Sequence, residues 1–244
     1  MKRIFSIHII GFILFSIPLW AYKYENTVRR AIPVKPDTVF KLNTVRGDVE
    51  ISTYEGDKAI FEVNFQAYER SELSKALLSI ESHPNEISVS STASIAKSRL
   101  TLLFKIKIPV QVNNIEIITQ NGEIVSRGMY RHLALKTGIG NIHFTGSFAG
   151  CLVNTINGDV DVEVKNLLSG NLTVDTPNGS IRVTLDEDSA FTVEGFTRTG
   201  EISSDFKFGI NRGTAGTTLA GKVKGETHRV KLNTVNGDIE LIKK

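Results

Sequence analysis

Cysteine is all but missing from this chain of 244 residues, with Cys151 the only one. No internal disulfide can form, so stability has to come from packing, and Cys151 reads as a small buried residue. Histidines 83, 132, 143 and 228 show no metal-ligand spacing and have no cysteine cluster to join. Tryptophan is reduced to Trp20, which leaves little for an aromatic-lined sugar cleft. An excess of one charge is missing too. The formal +3 falls to about +1 once Lys2 and Arg3 are removed with a leader, which excludes the basic balance of a nucleic-acid binder. There is one long apolar run, Ile4 to Ile17 in MKRIFSIHIIGFILFSIPLWA. It is short for a membrane span, follows Lys2 and Arg3, and precedes Pro18 and Ala21. That layout predicts a signal peptide over 1–21, hence an exported protein (periplasmic, outer-surface or secreted) with no membrane span after removal.

The rest of the composition is globular, 41% hydrophobic and 23% charged, with 20 glycines against six prolines. Asn-Gly pairs among abundant Val, Ile and Thr predict strands joined by tight turns, an all-β protein.

LNTVRGDVEI at 42–51 contains Arg46-Gly47-Asp48, a tripeptide that adhesive proteins present to receptors, and it is also the first copy of a repeat. The pattern returns as IITQNGEIVS, LKTGIGNIHF, VNTINGDVDV, VDTPNGSIRV and LNTVNGDIEL, with weaker copies GFTRTGEISS and GTTLAGKVKG. Its glycines are Gly47, Gly122, Gly140, Gly158, Gly179, Gly200, Gly221 and Gly237, and the steps after Gly122 are 18, 18, 21, 21, 21 and 16 residues. A period of 16–21 with one strand-turn-strand unit per copy predicts a parallel β-solenoid, because a single unit cannot bury its apolar face alone. The seven copies from Gly122 to Gly237 would make a rod on the order of 30 Å long at ~4.8 Å per coil.

Counting from the glycine, positions −5, +2 and +4 are mostly apolar and share one strand parity, so they face inward as ladders. Glycine supplies the corner backbone. Threonine stands at −3 in every copy: Thr44, Thr119, Thr137, Thr155, Thr176, Thr197, Thr218 and Thr234. Its methyl can pack while its hydroxyl bonds the corner backbone or the next coil. Gly47 and Asp48 are thereby explained by the repeat, and a tight corner makes a poor receptor loop. The intervening second bends vary in length, and specificity, if there is any, belongs there.

Residues 54–115 break the period. KAIFEVNFQAY, EISVSS and LTLLFKIKIPV read as strands, HPNE as a turn, and ERSELSKALLSI, with Leu73, Leu77 and Ile80 at helical spacing, as a short helix. The domain reading is therefore a leader at 1–21, an N-terminal antiparallel β-rich cap at 22–115, and a repeat array at 116–244 continuous with it.

The TxNGD-type corners, with KIKIPVQVNNIEIITQNGEI leading into the array, resemble a bacterial adhesin family of unknown function built from Gly-Asp-type β-strand repeats behind a signal peptide. The resemblance spans roughly residues 37–244. It implies a parallel β-solenoid in an exported protein and carries over no catalytic or binding residue. Gly195, Gly216 and Lys222 depart from the pattern.

Chemistry-bearing motifs are sparse. Calcium-binding β-rolls use a nine-residue repeat that gives each ion several oxygens. Here the +1 column in chain order, Glu123, Asn141, Asp159, Ser180, Glu201, Lys222 and Asp238, is mixed in sign and fits cross-strand pairing instead. Asp186-Glu187-Asp188 is the better cation candidate, set against a solvated corner. Ser94-Ile95-Ala96-Lys97 and Lys136-Thr137-Gly138 mimic two penicillin-recognising motifs, but Thr137 lies in repeat register. No catalytic, cofactor or metal residues are assigned and no cofactor is expected. The function read from the sequence is a non-enzymatic adhesin, binding or scaffold module. Its partner is unknown, another envelope protein or a glycan among the candidates. The alternatives are a polysaccharide-active β-helix enzyme and an envelope scaffold that self-associates end to end through the last copy, LNTVNGDIELIKK.

Overall fold

The computed structural model describes residues 24–74, 76–93, 100–224 and 228–244; the expected leader and the Ser94-Ile95-Ala96-Lys97 motif lie outside the described residues. Among the described residues the chain is all-β, nineteen strands with one four-residue helix. The N-terminal part holds β1 (Tyr24–Pro33), β2 (Val39–Arg46), β3 (Asp48–Tyr54), β4 (Lys58–Ala67), α1 (Arg70–Leu73), β5 (Ala76–His83), β6 (Glu86–Ala93) and β7 (Leu100–Pro109). It is followed by β8 (Asn114–Asn121), β9 (Ile124–Ile139), β10 (Ile142–Asn157), β11 (Val160–Val164), β12 (Asn171–Asn178) and β13 (Ile181–Leu185). The C-terminal part holds β14 (Phe191–Thr199), β15 (Ile202–Ser204), β16 (Gly209–Gly213), β17 (Gly216–Val223), β18 (His228–Asn236) and β19 (Ile239–Lys243).

Alternation of apolar and polar residues decides which side of each strand is buried, and the corner glycines decide where the chain changes face. Strands before a corner stack in parallel in the order β2, β8, the second half of β9, the second half of β10, β12, β18, β14. Strands after a corner stack likewise as β3, the first halves of β9 and β10, β11, β13, β19 and β15. The −5 residues Leu42, Ile117, Leu135, Val153, Val174 and Leu232 and the +2 residues Val49, Ile124, Ile142, Val160, Ile181 and Ile239 are buried between the two faces. At the N-terminal end, β6 and β7 extend the two faces in parallel, and β5, β4 and β1 close them antiparallel.

Tier order departs from chain order. The corner N–H of each glycine reaches a carbonyl of the next tier: Gly47 to Asn121, Gly122 to Ile139, Gly140 to Asn157, Gly158 to Asn178, Gly179 to Asn236 and Gly237 to Thr199. The last copy in sequence is thus interior, between the Gly179 and Gly200 tiers. Where chain order would set Gly221 next to Gly200, the chain doubles back and β17 runs antiparallel to β14, pairing Gly221 with Val193. Gly221 is therefore no corner and lacks the positive φ of the corner glycines. Thr218 is exposed, and it is Thr217 whose side chain turns inward.

The physical reason lies at Gly195, which lacks the usual −5 aliphatic side chain. Leu219 of β17 fills that space, 3.1 Å from where a Gly195 Cβ would sit. With β17 holding the outer side of β14, only the inner side is open to β18. The end-to-end association expected of the last copy has no open edge there, since β18 and β19 are paired on both sides.

The helix is shorter than the apolar spacing predicts. It covers Arg70–Leu73 alone; Leu77 and Ile80 belong to β5, where Leu78 and Ile80 pack on the core and Leu77 is 70% exposed. Pairing of β5 with β6 across the Pro84-Asn85 turn outweighs the local spacing.

Close approach makes the corners intolerant. Gly140 has φ +146, and a Cβ there would lie 2.1 Å from the Gly122 carbonyl oxygen. Gly140→Val is expected to destabilise by roughly 3 kcal/mol or more. Gly209→Ala, whose new Cβ meets nothing closer than 3.8 Å, is expected to shift stability by no more than about 0.5 kcal/mol. Urea titration of the two variants checks the contrast.

Candidate interaction surfaces

At the corners, three ladders run from tier to tier. The −3 hydroxyls donate to the glycine carbonyl of the neighbouring tier: Thr137 to Gly122 at 3.0 Å, Thr155 to Gly140 at 2.9 Å, Thr176 to Gly158 at 2.9 Å, Thr234 to Gly179 at 2.9 Å and Thr197 to Gly237 at 2.7 Å. Thr119 and Thr217 make longer versions to Gly47 and Gly200, and Ser91 of β6 carries the ladder past Thr44 at 2.6 Å. The +1 side chains accept the +1 backbone N–H of the next tier: Asp48 from Glu123, Asn141 from Asp159, Asp159 from Ser180 and Asp238 from Glu201, all at 2.8–2.9 Å. At −1, Asn178 donates to Asn157 and Asn236 to Asn178, a short amide ladder.

Arg46-Gly47-Asp48 is built into these ladders. Arg46 pairs in register with Asn121, Gly47 is the corner, and the Asp48 carboxylate holds the Glu123 N–H. The acidic slot is thus occupied with backbone. The observed +1 column runs Asp48, Glu123, Asn141, Asp159, Ser180, Asp238, Glu201, so Lys222 has no place in it.

Outward residues beyond the corners form mixed columns. On the face after the corner, His143 lies 3.6 Å from Glu123 and 3.9 Å from Asp161, and Arg182 bonds Glu240 at 2.8 Å. Arg182 meets Glu240 because β19 lies beside β13. The bond to Glu240 holds the Arg182 guanidinium above its ordinary pKa. On the other face, Lys136 bonds Glu116 at 2.8 Å and Lys41 bonds Glu86 at 2.6 Å. Lys136-Thr137-Gly138 is therefore split: its lysine points out to an ion pair and its threonine points in to a carbonyl.

The same face carries a shallow depression of about 420 Å³. Gly150 and Ala134 are small outward residues that leave the hollow, Val39 and Leu152 supply apolar walls, and His132 and Asn171 stand at its rim. Cys151 lies in its floor, and burial pushes the thiol far above its usual pKa, which keeps it protonated and unreactive.

The second bends hold few exposed aromatics. Tyr130, Phe148 and Phe206 are buried and Phe208 is partly so, with Phe144 between Tyr130 and Phe148 at ring distances of 6.0 and 5.6 Å. They fill the space between the faces and offer no aromatic patch. Asp186-Glu187-Asp188, the cation candidate, faces lysines instead: Lys224 bonds Asp188 and Lys243 approaches Glu187 at 3.9 Å. Among the described residues no group of three His, Cys, Asp or Glu side chains gathers as a metal site would.

These observations define an all-β stack of parallel tiers with open, ion-paired outer faces. The chain belongs to the Toastrack family DUF4097, whose model matches residues 36–242. Solved structures similar to it include a candidate cell adhesion protein from Clostridium sporogenes, at 15% identity over 90% of this chain and 100% of that one, with a TM-score of 0.50. A candidate adhesin from Bacteroides fragilis aligns at 10% identity over 89% and 97% of the two chains, TM-score 0.44. A candidate lipid binding protein from Parabacteroides distasonis aligns at 13% over 89% and 97%, TM-score 0.36. The likeness to the Clostridium sporogenes protein is one of fold alone. No curated protein matches the sequence.

Two predictions follow from the ladders. Asp48→Asn keeps an oxygen for the Glu123 N–H and is expected to leave the melting temperature nearly unchanged, whereas Asp48→Ala is expected to cost about 1 kcal/mol. Thr155→Val keeps the packed methyl but strands the Gly140 carbonyl, and a loss of roughly 1–2 kcal/mol is expected in thermal or urea unfolding.

Proposed function

We propose that the chain is an exported, non-enzymatic β-solenoid that serves as a binding or scaffold module of the cell envelope, contacting another envelope protein or a glycan through its outward strand faces. On this reading residues 1–21 are a leader removed on export, 22–115 contribute the cap, and 116–244 contribute the array. The tier of β2 and β3 joins that array in space. The solenoid then has seven tiers, with Gly47 counted in and Gly221 counted out. The corner glycines and threonines act as scaffold, and the protein works at the periplasmic, outer-surface or secreted side of the envelope.

The observation that carries this reading is the open depression walled by Val39, Ala134 and Leu152 and rimmed by His132 and Asn171. It lies on a flat strand face, where an extended partner can lie along the surface. Charged side chains nearby are taken up in pairs such as Glu116 with Lys136. Leu152 is 37% exposed among small neighbours, which gives a partner an apolar anchor with polar rim contacts.

Retention on a panel of immobilised envelope glycans and envelope proteins tests the proposal. The expected result is retention of at least one member without any cleavage product by mass spectrometry, weakened about tenfold or more by Leu152→Asp. Cleavage of a glycan would overturn the non-enzymatic reading in favour of the β-helix enzyme.

A further inference from the structure

The slot occupied by the last tier has features of its own. Among the described residues, strands β14 and β15 pair with the rest of the stack only through β18 and β19; the remaining partner of β14 is β17 of its own hairpin. The Gly179 tier, in turn, presents its C-terminal side to β18 and β19 alone. Residues 228–244 therefore fill a gap between two tiers that precede them in the chain.

The gap is recognised by charge as well as by register. The link from β13 to β14, Asp186 to Ala190, has to pass the inserted tier, and it carries Asp186-Glu187-Asp188. There the Glu187 N–H meets the Lys244 carbonyl at 3.3 Å, the Lys244 N–H bonds the Leu185 carbonyl at 3.0 Å, and Lys243 faces Glu187. Glu187 thus faces the Lys243 of the inserted tier, while Asp188 is bonded by Lys224 at the start of the link. On the other side, β17 and β18 are joined by residues 224–227, which must pass β14 to reach the slot. Lys224 at the start of this link has φ +46, a left-handed conformation that a residue with a side chain adopts at a cost.

A segment that is paired on both sides, meets a complementary charge and is joined by a short link beginning at the left-handed residue Lys224 meets the conditions for exchange between copies. We propose that residues 228–244 are an exchangeable donor tier: in concentrated protein the tier of one copy occupies the slot of a second copy, and the reverse, giving a reciprocal dimer. The strand pairings of the slot are preserved in the exchanged form, and the crossover between copies falls between Val223 and His228. The partner surface is the pair of edges on β12–β13 and β14–β15, and its occupant is a second copy of His228–Lys244.

Register supplies the test. Asp175 and Asn233 are neighbours across β12 and β18 on the outward face. In a Cys151→Ala background, one full-length form carries Asp175→Cys and a second carries Asn233→Cys; the two are unfolded, mixed, refolded at low and high concentration, and oxidised. A disulfide-linked dimer is expected, its share rising severalfold from dilute to concentrated refolding. A single chain carrying both cysteines is expected to close on itself when dilute, which checks the register independently. As a second measurement free of substitutions, co-refolded heavy- and light-isotope forms of the unaltered protein are expected to give mixed dimers in native mass spectrometry. Internal closure of the double-cysteine chain together with only monomers in both mixing experiments would overturn the proposal.

Discussion

The close stacking of corner glycines governs the rest of the molecule. The corners at Gly47, Gly122, Gly140, Gly158, Gly179 and Gly237 each send the N–H to a neighbouring tier and receive a threonine hydroxyl on the glycine carbonyl, as Gly140 does from Thr155. The approach leaves no room for a Cβ: one added at Gly122, Gly158 or Gly179 would fall within about 2 Å of the glycine carbonyl beneath it. Because this contact is tight and repeated, it sets the tier spacing for both faces. Length variation between copies is then pushed to the opposite bends, where Tyr130 and Phe148 take up the extra space from inside.

From that constraint it follows that a short +1 side chain, Asp or Asn, is taken up by backbone. It sits where the next tier's N–H needs an acceptor, and Asp48, Asn141, Asp159 and Asp238 all meet that need. A carboxylate here is interchangeable with an amide, which is why the column mixes Asp and Asn. Buried hydroxyls and backbone groups are thereby satisfied along the corner without water or metal. What remains for recognition is the outward parity of the strands, where the small residues Ala134 and Gly150 leave a hollow beside ion pairs such as Lys136 with Glu116.

The C-terminal end shows how one missing side chain reorders a repeat. Gly195 leaves a hole in an aliphatic ladder, Leu219 fills it from an antiparallel strand, and that strand closes the outer edge of β14. The last tier then takes the inner edge, and Asp186-Glu187-Asp188 and Lys243-Lys244 meet as a result. The acidic run read as a cation candidate is in this setting shared between two lysines, Lys224 on Asp188 and Lys243 near Glu187.

Periodicity was legible because the corner demands the same two residue types every time: glycine where no Cβ fits, threonine where a methyl must pack and a hydroxyl must donate. All-β architecture and the inward ladders at −5 and +2 were legible for the same reason, since strand parity is local. Tier order was not, because the Gly221 and Gly237 copies look alike along the chain and differ in which edge is vacant when they arrive. Nor was the fate of Leu77 and Ile80, whose spacing suits a helix until β6 supplies a pairing partner, or the hollow around Leu152, which depends on residues from several tiers. The sequence by itself determined what each tier is made of, because a residue's parity and its steric fit at a corner are properties of a few neighbours. Only the tertiary structure decided which tier lies on which, because open strand edges exist only once the chain has folded far enough to leave one unfilled.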